Sequence, residues 1–249
     1  TATVSQTITI EDTTPPTLSG QGADMTIQCP DVPVFTDPTT SDECDPNVTL
    51  TFTDDTNLGA CGFGTVTRIW TATDCAGNST SVAQTITIEG TTPPVLTGQG
   101  ADATIQCPAV AVFTDPTVSD ACDPSVVVTS NDISNIDACG LGTITRTWTA
   151  TNCAGNTATV SQTITIEDTT PPTLSGQGAD MTIQCPDVPV FTDPTSSDEC
   201  DPNVTVTFTD DTNLGACGFG TVTRTWTAMD CAGNTATVSQ TITIEGTTP

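Results

Sequence analysis

Cysteine is the residue type with the most readily recognised chemistry in this sequence. Twelve cysteines form three sets of four, and equivalent members are 78 residues apart. Four cysteines per set allow three pairings, and spacing alone does not choose among them. A metal-thiolate centre, the alternative, needs C-x-x-C spacing or histidine, and the sequence has neither. We therefore expect disulfides, and with them an oxidising, extracellular location. The first set is Cys29, Cys44, Cys61 and Cys75.

Carboxylates are the second chemically informative group. The chain has 30 Asp and Glu against three Arg, which gives a net charge of −27. This charge argues against nucleic acids and anionic membranes as partners, and no apolar run is long enough for membrane insertion. His, Lys and Tyr are absent, so the usual acid-base and nucleophile-activating groups are missing. We expect no enzyme; paired carboxylates of the glycosidase type are the one catalytic alternative.

A long internal repeat sets the positions of these residues. The string TTPP begins at Thr13, Thr91 and Thr169, and a truncated TTP begins at Thr247. A period of this length matches a small domain with its own core. We predict three domains, which we call repeat 1 (13–90), repeat 2 (91–168) and repeat 3 (169–246). Residues 1–12 recur letter for letter at 157–168, so we interpret them as the last strand of a preceding repeat and 247–249 as the start of a following one.

The elements within a repeat are predicted to be strands. In TVTRIWTATD, Arg68 and Trp70 share one face with the apolar residues, which is the period-two pattern of a half-buried strand. The segment NVTLTFTD alternates in the same way and places Leu50 and Phe52 inward, and CAGN supplies the turn of a hairpin. Arg68 is expected to stack on the Trp70 indole or to pair with a carboxylate. The fold class is all-β: a seven-stranded, immunoglobulin-like β-sandwich per repeat, in a linear tandem array.

The segment WTATDCAGNSTSVAQTITIE and the TTPP that follows it resemble the C-terminal half of hyalin-repeat (HYR) domains, which are immunoglobulin-like modules. The resemblance covers all three repeats and is strongest in the TATD-x-x-GN turn and the E-D-T-T-P-P linker. Repeat 2 departs from it at Asn152, and repeats 1 and 3 end in Glu-Gly. The cysteine-rich form is similar to repeats of giant surface adhesins of gliding and filament-bearing bacteria. The resemblance implies adhesion and spacing rather than catalysis.

An immunoglobulin-like order also implies a disulfide pattern. In that order the first and third cysteines of a repeat lie at one pole, and the second and fourth lie at the other. Pairing within each repeat follows, with two bridges that would stabilise a core poor in aromatic residues. The expected pairs are Cys29–Cys61, Cys44–Cys75, Cys107–Cys139, Cys122–Cys153, Cys185–Cys217 and Cys200–Cys231.

The linker and the loops at one pole should bring carboxylates together where the chain enters repeats 1 and 3. Calcium takes six to eight oxygen ligands and fits such a crevice; a solvated acidic surface is the alternative. Thr13 and Thr169 lie in a context that resembles bacterial O-glycosylation, whereas the alternative is a plain extended linker. The calcium candidates are Glu11, Asp12, Asp42, Asp45 and Asp74 before repeat 1, and Glu167, Asp168, Asp198, Asp201 and Asp230 before repeat 3. Weaker candidates are Glu89, Asp120 and Asp123 before repeat 2.

These observations predict the structural shaft of a cell-surface adhesin or extracellular filament. Its partners would be further copies of the repeat, in a longer chain or a filament, with surface ligands bound through a separate tip. The alternative function is that each repeat binds a polysaccharide through its loops. Aromatic platforms in those loops would favour the alternative, but Tyr is absent and the single Trp of each repeat is predicted to point inward.

Overall fold

The computed structural model of the chain describes residues 1–246. Two compact units are present. The first contains Thr1–Thr97, Thr117–Thr129 and Thr149–Thr159, and the second contains Gly98–Pro116, Ser130–Trp148 and the chain from Val160 onward. Repeat 2 therefore contributes to both units. The terminal residues 247–249, assigned above to the start of a following repeat, lie outside the described residues.

Repeat 1 is built from two β-sheets of unequal size. A four-stranded sheet has the order β2-β6-β5-β4, and a two-stranded sheet pairs β1 with β3. Strands β5 and β6 form the predicted hairpin, and β2 runs parallel to β6. The strands are β1 (Thr17–Ser19), β2 (Met25–Gln28), β3 (Thr39–Ser41), β4 (Thr49–Leu58), β5 (Gly64–Thr73) and β6 (Ser79–Glu89).

The other two repeats have the same six elements in the same sheet order. The all-β class is confirmed, and among the described residues no helix has the length and apolar character to cross a membrane. In repeat 2 the strands are β7 (Val95–Thr97), β8 (Ala103–Gln106), β9 (Thr117–Ser119), β10 (Val127–Ile136), β11 (Gly142–Thr151) and β12 (Thr157–Glu167). In repeat 3 they are β13 (Thr173–Ser175), β14 (Met181–Gln184), β15 (Thr195–Ser197), β16 (Thr205–Leu214), β17 (Gly220–Met229) and β18 (Thr235–Glu245).

The prediction of seven strands per repeat was wrong, because each described repeat has six. In repeat 1 the segment between β2 and β3 contains Pro30, Pro33 and Pro38. Proline has no N–H to donate to a strand ladder, so three of them in nine residues prevent a further strand there.

Trp70 is the centre of the core of repeat 1, as its place in the alternating pattern predicted. Trp70 and its strand neighbour Ala72 are fully buried. The indole Nε1 donates a hydrogen bond to Asp37 Oδ1 at 2.9 Å, and the Phe35 ring packs edge-on at 6.2 Å between centroids. Trp148 and Trp226 repeat this arrangement with Asp115 and Asp193. The proline-rich segment therefore covers the Trp by packing rather than by strand pairing.

Phe52 does not lie in the core, contrary to the prediction. Its side chain is 55% exposed, because β4 is an edge strand and the facing sheet has only two strands of three residues. The Arg68 guanidinium lies over the Phe52 ring at 4.0 Å and over the Phe35 ring at 4.6 Å. It also makes two hydrogen bonds to the Asp54 carboxylate, at 2.7 and 2.8 Å. The expected pairing with a carboxylate is confirmed, and the stacking is on phenylalanine instead of tryptophan.

Candidate functional site

The four cysteines of repeat 1 lie at its two ends. We call the end where the chain enters the repeat the leading end and the end where it leaves the trailing end. Cys29 follows β2 at the trailing end, where its N–H donates to the Glu89 carbonyl at 2.9 Å. Cys61 lies in the β4–β5 loop, and the register of β5 on β6 places this loop at the trailing end too. Cys44 and Cys75 lie at the leading end, before β4 and in the β5–β6 turn.

Disulfides join each repeat to the next one. In the first compact unit Cys29 is bonded to Cys122 and Cys61 to Cys153, with Cα–Cα distances of 5.7 and 6.0 Å. The second unit has the equivalent pairs Cys107–Cys200 and Cys139–Cys231, at 5.7 and 5.8 Å. Both described junctions therefore have two bridges, each from a trailing-end cysteine to a leading-end cysteine of the following repeat.

This pattern contradicts the within-repeat pairing expected from the sequence. The poles were predicted correctly, but Cys29 follows β2 and Cys61 precedes β5, and β6 lies between those two strands. At about 4.8 Å per strand step the two positions are about 10 Å apart, beyond the roughly 7 Å that a disulfide spans between Cα atoms. Four expected pairs are wrong because their cysteines are bonded to other repeats: Cys29–Cys61, Cys107–Cys139, Cys122–Cys153 and Cys200–Cys231. The cysteines of the other two expected pairs, Cys44–Cys75 and Cys185–Cys217, are free and exposed.

Two aspartates hold the leading-end cysteine loops in place. The Asp42 Oδ1 atom accepts hydrogen bonds from the backbone N–H groups of Cys44 and Asp45, at 2.8 and 2.9 Å. Asp45 is buried, and its carboxylate accepts from the N–H groups of Asn47 and Cys75, at 2.8 and 2.9 Å. Asp45 thus connects the loop of Cys44 to the turn of Cys75. In repeat 2, Asp120 and Asp123 make the equivalent bonds around Cys122 and Cys153.

Asp74 organises the β5–β6 turn. Its Oδ1 atom accepts from the N–H groups of Ala76 and Asn78, and its Oδ2 atom accepts from the Asn78 side chain at 2.9 Å. Burial raises the pKa of Asp74, but the hydrogen bonds from Asn78, Gly77 and Ala76 outweigh burial and hold the pKa below its usual range. In repeat 3, Asp230 accepts both the backbone and the side-chain hydrogen bond of Asn234. These carboxylates therefore have a local structural role.

The asparagine of each GN turn also holds the linker that leads into its repeat. Asn78 Nδ2 donates to the Asp12 carbonyl at 3.2 Å, Asn156 Nδ2 to the Gly90 carbonyl at 2.8 Å, and Asn234 Nδ2 to the Asp168 carbonyl at 3.1 Å. The second proline of the linker, Pro16 in repeat 1, is buried in the repeat that follows. Sequence reasoning assigned the GN pair to the turn alone; its recurrence beside a fixed linker was the available signal for this second role.

Few of the predicted calcium ligands come together. Oxygen atoms of Asp12 and Asp42 and the sulfur of Cys44 lie within 4.8 Å of one another, as do the equivalent atoms of Asp168, Asp198 and Cys200. Cys200 is in a disulfide, which leaves only the two carboxylates in that group. Asp12 Oδ2 is buried and has no hydrogen-bond partner among the described residues. The remaining strong candidates, which lie outside these groups, are Glu11, Asp45, Asp74, Glu167, Asp201 and Asp230.

In repeat 2 the leading-end carboxylate of Asp120 accepts a hydrogen bond from a side-chain amide. Asn152, which takes the place of Asp74, donates from Nδ2 to Asp120 Oδ2 at 3.1 Å and to the Thr92 carbonyl at 3.0 Å. The hydrogen bond from Asn152 is the first cause of the lowered pKa of Asp120. Together with Gly90 in place of a linker aspartate, this amide makes the leading end of repeat 2 less anionic, as the sequence predicted.

A packing difference accompanies the change from Asp to Gly in the linker. A Cβ atom added to Gly90 would collide with the Phe63 ring, and one added to Gly246 would crowd the Phe219 ring in the same way. In repeat 2, where the linker keeps Asp168, the aromatic residue is replaced by Leu141. A Gly in the linker therefore occurs with Phe in the β4–β5 loop or its equivalent, and an Asp in the linker occurs with Leu there. Sequence reasoning missed this correlation.

The two glycosylation candidates are exposed threonines. Thr169 donates from both N and Oγ1 to Gln106 Oε1, at 3.1 and 3.0 Å, and Thr91 Oγ1 donates to Gln28 Oε1 at 2.8 Å. These bonds connect the linker to the repeat that precedes it. Glycosylation of Thr13 and Thr169 stays a prediction.

Comparison with known proteins identifies the family. The model of the "HYR-like domain with 4 cysteines" matches residues 17–88, 96–166 and 174–244, which is most of the chain. The chain therefore belongs to this family of HYR-like domains, and the resemblance seen in the sequence is confirmed at that level.

The relatives found among characterised proteins are hyalins of two sea urchins. The chain is 33% identical to hyalin of Strongylocentrotus purpuratus over 196 residues, which is 72% of this chain and 16% of that protein. It is 32% identical to hyalin of Lytechinus variegatus over 197 residues, which is 72% of this chain and 37% of that protein. The aligned part is thus well under half of either relative. The origin in a bacterial adhesin has no support from these relatives.

Among solved structures, similar chains include mouse cadherin-23 EC22-24 and PcdhgB3 EC1-4. The first has a TM-score of 0.42 at 10% identity, over 94% of this chain and 99% of that chain. The second has a TM-score of 0.36 at 13% identity, over 94% of this chain and 76% of that chain. Scores this low do not assign a fold, and the all-β class stands on the strands described above.

Proposed function

We propose that the chain is a stretch of an extracellular structural tether whose repeats are connected by paired disulfides. The observation that carries the proposal is the pair of bridges at each described junction. A disulfide within a repeat would stabilise that repeat alone. Bridges between repeats also limit how far the chain can lengthen when it is pulled, which is a mechanical property and not a catalytic one.

The limit on extension follows from the covalent connections. The shortest path from Cys29 to Cys231 crosses to Cys122, follows the chain to Cys139 and crosses to Cys231. This path uses roughly 17 residues, whereas the unbridged chain between the same ends has roughly 200. At about 3.4 Å per extended residue the chain in the bridged path reaches about 60 Å and the unbridged chain about 690 Å. Unfolding of the repeats under load would therefore release little length.

Single-molecule stretching of the chain by its termini tests this proposal. We expect the oxidised chain to be shorter at full extension than the reduced chain by about 630 Å. Bridges within repeats, the rival arrangement, would shorten it by only about 330 Å. A difference near the smaller value, or no difference, would contradict the proposed function.

Cysteine variants provide a matched control, because one bridge of the second junction lies off the shortest path. Replacing Cys107 and Cys200 by Ser should leave the extension limit of the oxidised chain unchanged, since the shortest path uses Cys29–Cys122 and Cys139–Cys231. Replacing Cys139 and Cys231 as well should lengthen the oxidised chain by about 310 Å. A large change in the first variant would mean that these two bridges do not carry the load.

The proposal places the chain outside the cell, in line with its many disulfides and its similarity to hyalin. Its partners are further repeats of the same family, in a longer chain or a filament, and any surface ligand would bind at a separate tip. A shaft of a bacterial surface adhesin is one setting for such a tether, but the proposal does not depend on it. No catalytic role is proposed for the carboxylates, because Asp42, Asp45 and Asp74 accept hydrogen bonds that hold the leading-end loops.

Polysaccharide binding by each repeat is the alternative function from the sequence. Grooves do lie beside the bridges; one of them, in the first compact unit, is lined by Ala60, Pro124 and Val127 next to Cys61 and Cys153. No aromatic side chain lines it or its counterpart beside Cys139 and Cys231. Sugar-binding grooves commonly present aromatic faces, so nothing in these grooves favours the alternative over the tether.

Calcium stays in the proposal with fewer ligands than the sequence predicted. The buried Asp12 Oδ2 atom, which has no hydrogen-bond partner in the part of the chain that the structure describes, supports a divalent cation between Asp12 and Asp42. The equivalent pair at repeat 3 is Asp168 and Asp198. These carboxylates would hold the cation, which would offset the repulsion between them. At repeat 2 the Asn152 amide takes over that role.

Calorimetric titration of the chain with calcium chloride tests this assignment. We expect binding that is weakened by Asp42→Asn and by Asp198→Asn, and unaffected by Asp120→Asn at the equivalent position of repeat 2. Absence of binding heat, or an equal effect of all three substitutions, would remove calcium from the account. Thermal unfolding with and without calcium gives a second readout, because a ligand that binds only the folded state raises its stability.

A further inference from the structure

We propose that the Cys61–Cys153 bridge is a site where a small-molecule thiol attaches by disulfide exchange, whereas the equivalent Cys139–Cys231 bridge resists the same reaction. We call the first the exchangeable bridge and the second the protected bridge. Each lies beside a groove of its own compact unit. The inference rests on the proposed tether and adds a chemical modification at one of its bridges.

The groove beside the exchangeable bridge is the larger and more apolar of the two. Its volume is about 580 Å³, against about 300 Å³ for the groove beside the protected bridge. Cys61, Cys122 and Cys153 all line the larger groove, so a molecule that enters it meets both bridges of that junction. Val127 on its wall is replaced by Thr205 in the smaller groove. A small thiol with an apolar body therefore has more room and more apolar contact beside the exchangeable bridge.

The two bridges also differ in the carboxylates around them. Asp123 lines the larger groove, and the positions just before the two cysteines of the exchangeable bridge hold Gly59 and Asn152, which are uncharged. All three equivalent positions at the protected bridge are aspartates: Asp201, Asp137 and Asp230. The exchangeable bridge thus has one carboxylate at these positions, and the protected bridge has three.

Both additional carboxylates are held close to the protected bridge. Asp137 Oδ1 accepts hydrogen bonds from the N–H groups of Cys139 and Leu141, at 2.9 and 3.0 Å. Asp230 is buried, directly precedes Cys231 and lines the smaller groove. Because an attacking thiolate is an anion, two more fixed negative charges beside the sulfur atoms oppose its approach.

The exchange step balances without an oxidant. The small thiol gives its proton to water, and its thiolate bonds to one sulfur of the exchangeable bridge while the bond between Cys61 and Cys153 breaks. The electron pair of the broken bond leaves with the other sulfur, which then takes up a proton. The product contains one mixed disulfide and one free cysteine, and Cys29–Cys122 still joins the two repeats. The small molecule is therefore attached without separation of the junction.

Electrostatics sets the size of the expected preference. Two extra charges at about 8 Å slow a singly charged thiolate roughly sixfold in a water-like dielectric. The factor is larger for a thiol that carries a further anionic group and smaller for one that carries a cationic group. Salt reduces the factor, because the Debye length falls from about 30 Å at 0.01 M to about 3 Å at 1 M.

Timed alkylation of the whole oxidised chain tests the inference. Thiols that are free at the start are first blocked with a distinguishable reagent, and a chelator keeps divalent cations from offsetting the carboxylates. The chain is then incubated at low salt with 2-mercaptoethanesulfonate, an anionic thiol. Released cysteines are alkylated at intervals, and the peptides are measured by mass spectrometry.

We expect the exchangeable bridge to react roughly sixfold faster than the protected bridge, or more, in this anionic thiol at low salt. The ratio of the two rates should fall toward one in about 1 M salt. Cysteamine, whose ammonium group offsets the thiolate charge, should give a smaller ratio than 2-mercaptoethanesulfonate at the same low salt.

Two variants that exchange the charges provide the matched control. Gly59→Asp with Asn152→Asp gives the exchangeable bridge the charges of the protected one and should slow its reaction to a similar rate. A Cβ atom added to Gly59 would lie 3.6 Å from the Phe63 carbonyl oxygen, which is an ordinary contact, so the loop accepts the aspartate. The reverse variant, Asp137→Gly with Asp230→Asn, should make the protected bridge react faster.

Several outcomes would overturn the inference. Equal rates at both bridges at low salt would do so, and so would a ratio that neither salt nor the charge of the thiol changes. Unchanged rates in both variants would show that the carboxylates do not set the preference. The tether is read separately in digests of the untreated chain: if Cys29 is recovered with Cys122 while the two bridges react alike, the tether proposal stands and only this inference fails. Recovery of Cys29 with Cys61 would instead contradict the tether itself.

Discussion

At the scale of single residues, Arg68 is the clearest case of a side chain whose surroundings explain its use. It is one of three cations in a chain of 30 acids, and it is held by the Asp54 carboxylate and two aromatic rings. The hydrogen bond from Arg68 holds the pKa of Asp54 below its usual range, and Arg146 and Arg224 do the same for Asp132 and Asp210. Each of these three carboxylates, when it is charged, therefore stabilises the folded state.

The sign of the resulting pH dependence is fixed by these lowered pKa values. A carboxyl group with a lower pKa in the folded state adds stability above its unfolded pKa, about 3.9 for Asp, and this stability is lost as the pH falls through the folded pKa. We expect the triple variant Asp54→Asn, Asp132→Asn and Asp210→Asn to lose less stability than the unmodified chain between about pH 5 and pH 2. Urea unfolding across that range measures the effect. Asp31→Asn removes one exposed charge as a control, and equal slopes for the triple variant and the unmodified chain would count against the ion pairs.

A second residue-scale prediction concerns Gly90. Gly90→Asp introduces the linker residue found at Asp168, and we expect it to destabilise the chain by about 1–3 kcal/mol because the new side chain collides with Phe63. Adding Phe63→Leu, the residue type found at Leu141, should recover part of that loss. Urea unfolding of the two single variants and the double variant measures the coupling between the sites. Strictly additive effects would mean that the two positions are independent.

At the scale of elements, the β5–β6 hairpin was predictable and the proline-rich segment was not. Alternation placed Trp70 and Ala72 inside correctly, since β5 is a central strand covered on that face. The same reasoning failed for Phe52, because a period-two pattern does not tell a central strand from an edge strand. The role of Asp37 as the acceptor for the Trp70 indole also depends on tertiary packing, which no local pattern reports.

The hairpin turn holds the linker as well, and this gives an element-scale prediction. In Asn156→Ala the Gly90 carbonyl loses its side-chain donor, so we expect a loss of about 1–3 kcal/mol in local stability. Hydrogen–deuterium exchange should show faster exchange of the backbone amides at 90–92. Asn57→Ala, which removes an exposed side chain from β4, is the control. Unchanged exchange of those linker amides in Asn156→Ala would show that the linker is held without the turn.

At the scale of the whole molecule, the sequence predicted the family and the repeat but not how the repeats are joined. Sequence reasoning counted three pairings because it confined each set of four cysteines to its own repeat. The bridges instead join cysteines separated by 92 and 93 residues, a little more than one period. A periodic sequence cannot show which copy supplies a partner, since every repeat offers the same four positions. That choice depends on the sheet order, which separates Cys29 from Cys61, and on the meeting of trailing and leading ends.

Mass spectrometry of the unreduced, oxidised chain after pepsin digestion at acidic pH tests the central claim most directly, because low pH suppresses thiolate exchange. Peptides from repeat 2 are the most informative, since their sequences differ from those of repeats 1 and 3 around Cys107, Cys122 and Cys139. The structure requires Cys122 to be recovered with Cys29 and Cys107 with Cys200. Recovery of Cys107 with Cys139, or of Cys122 with Cys153, would contradict the bridged junctions and the tether built on them.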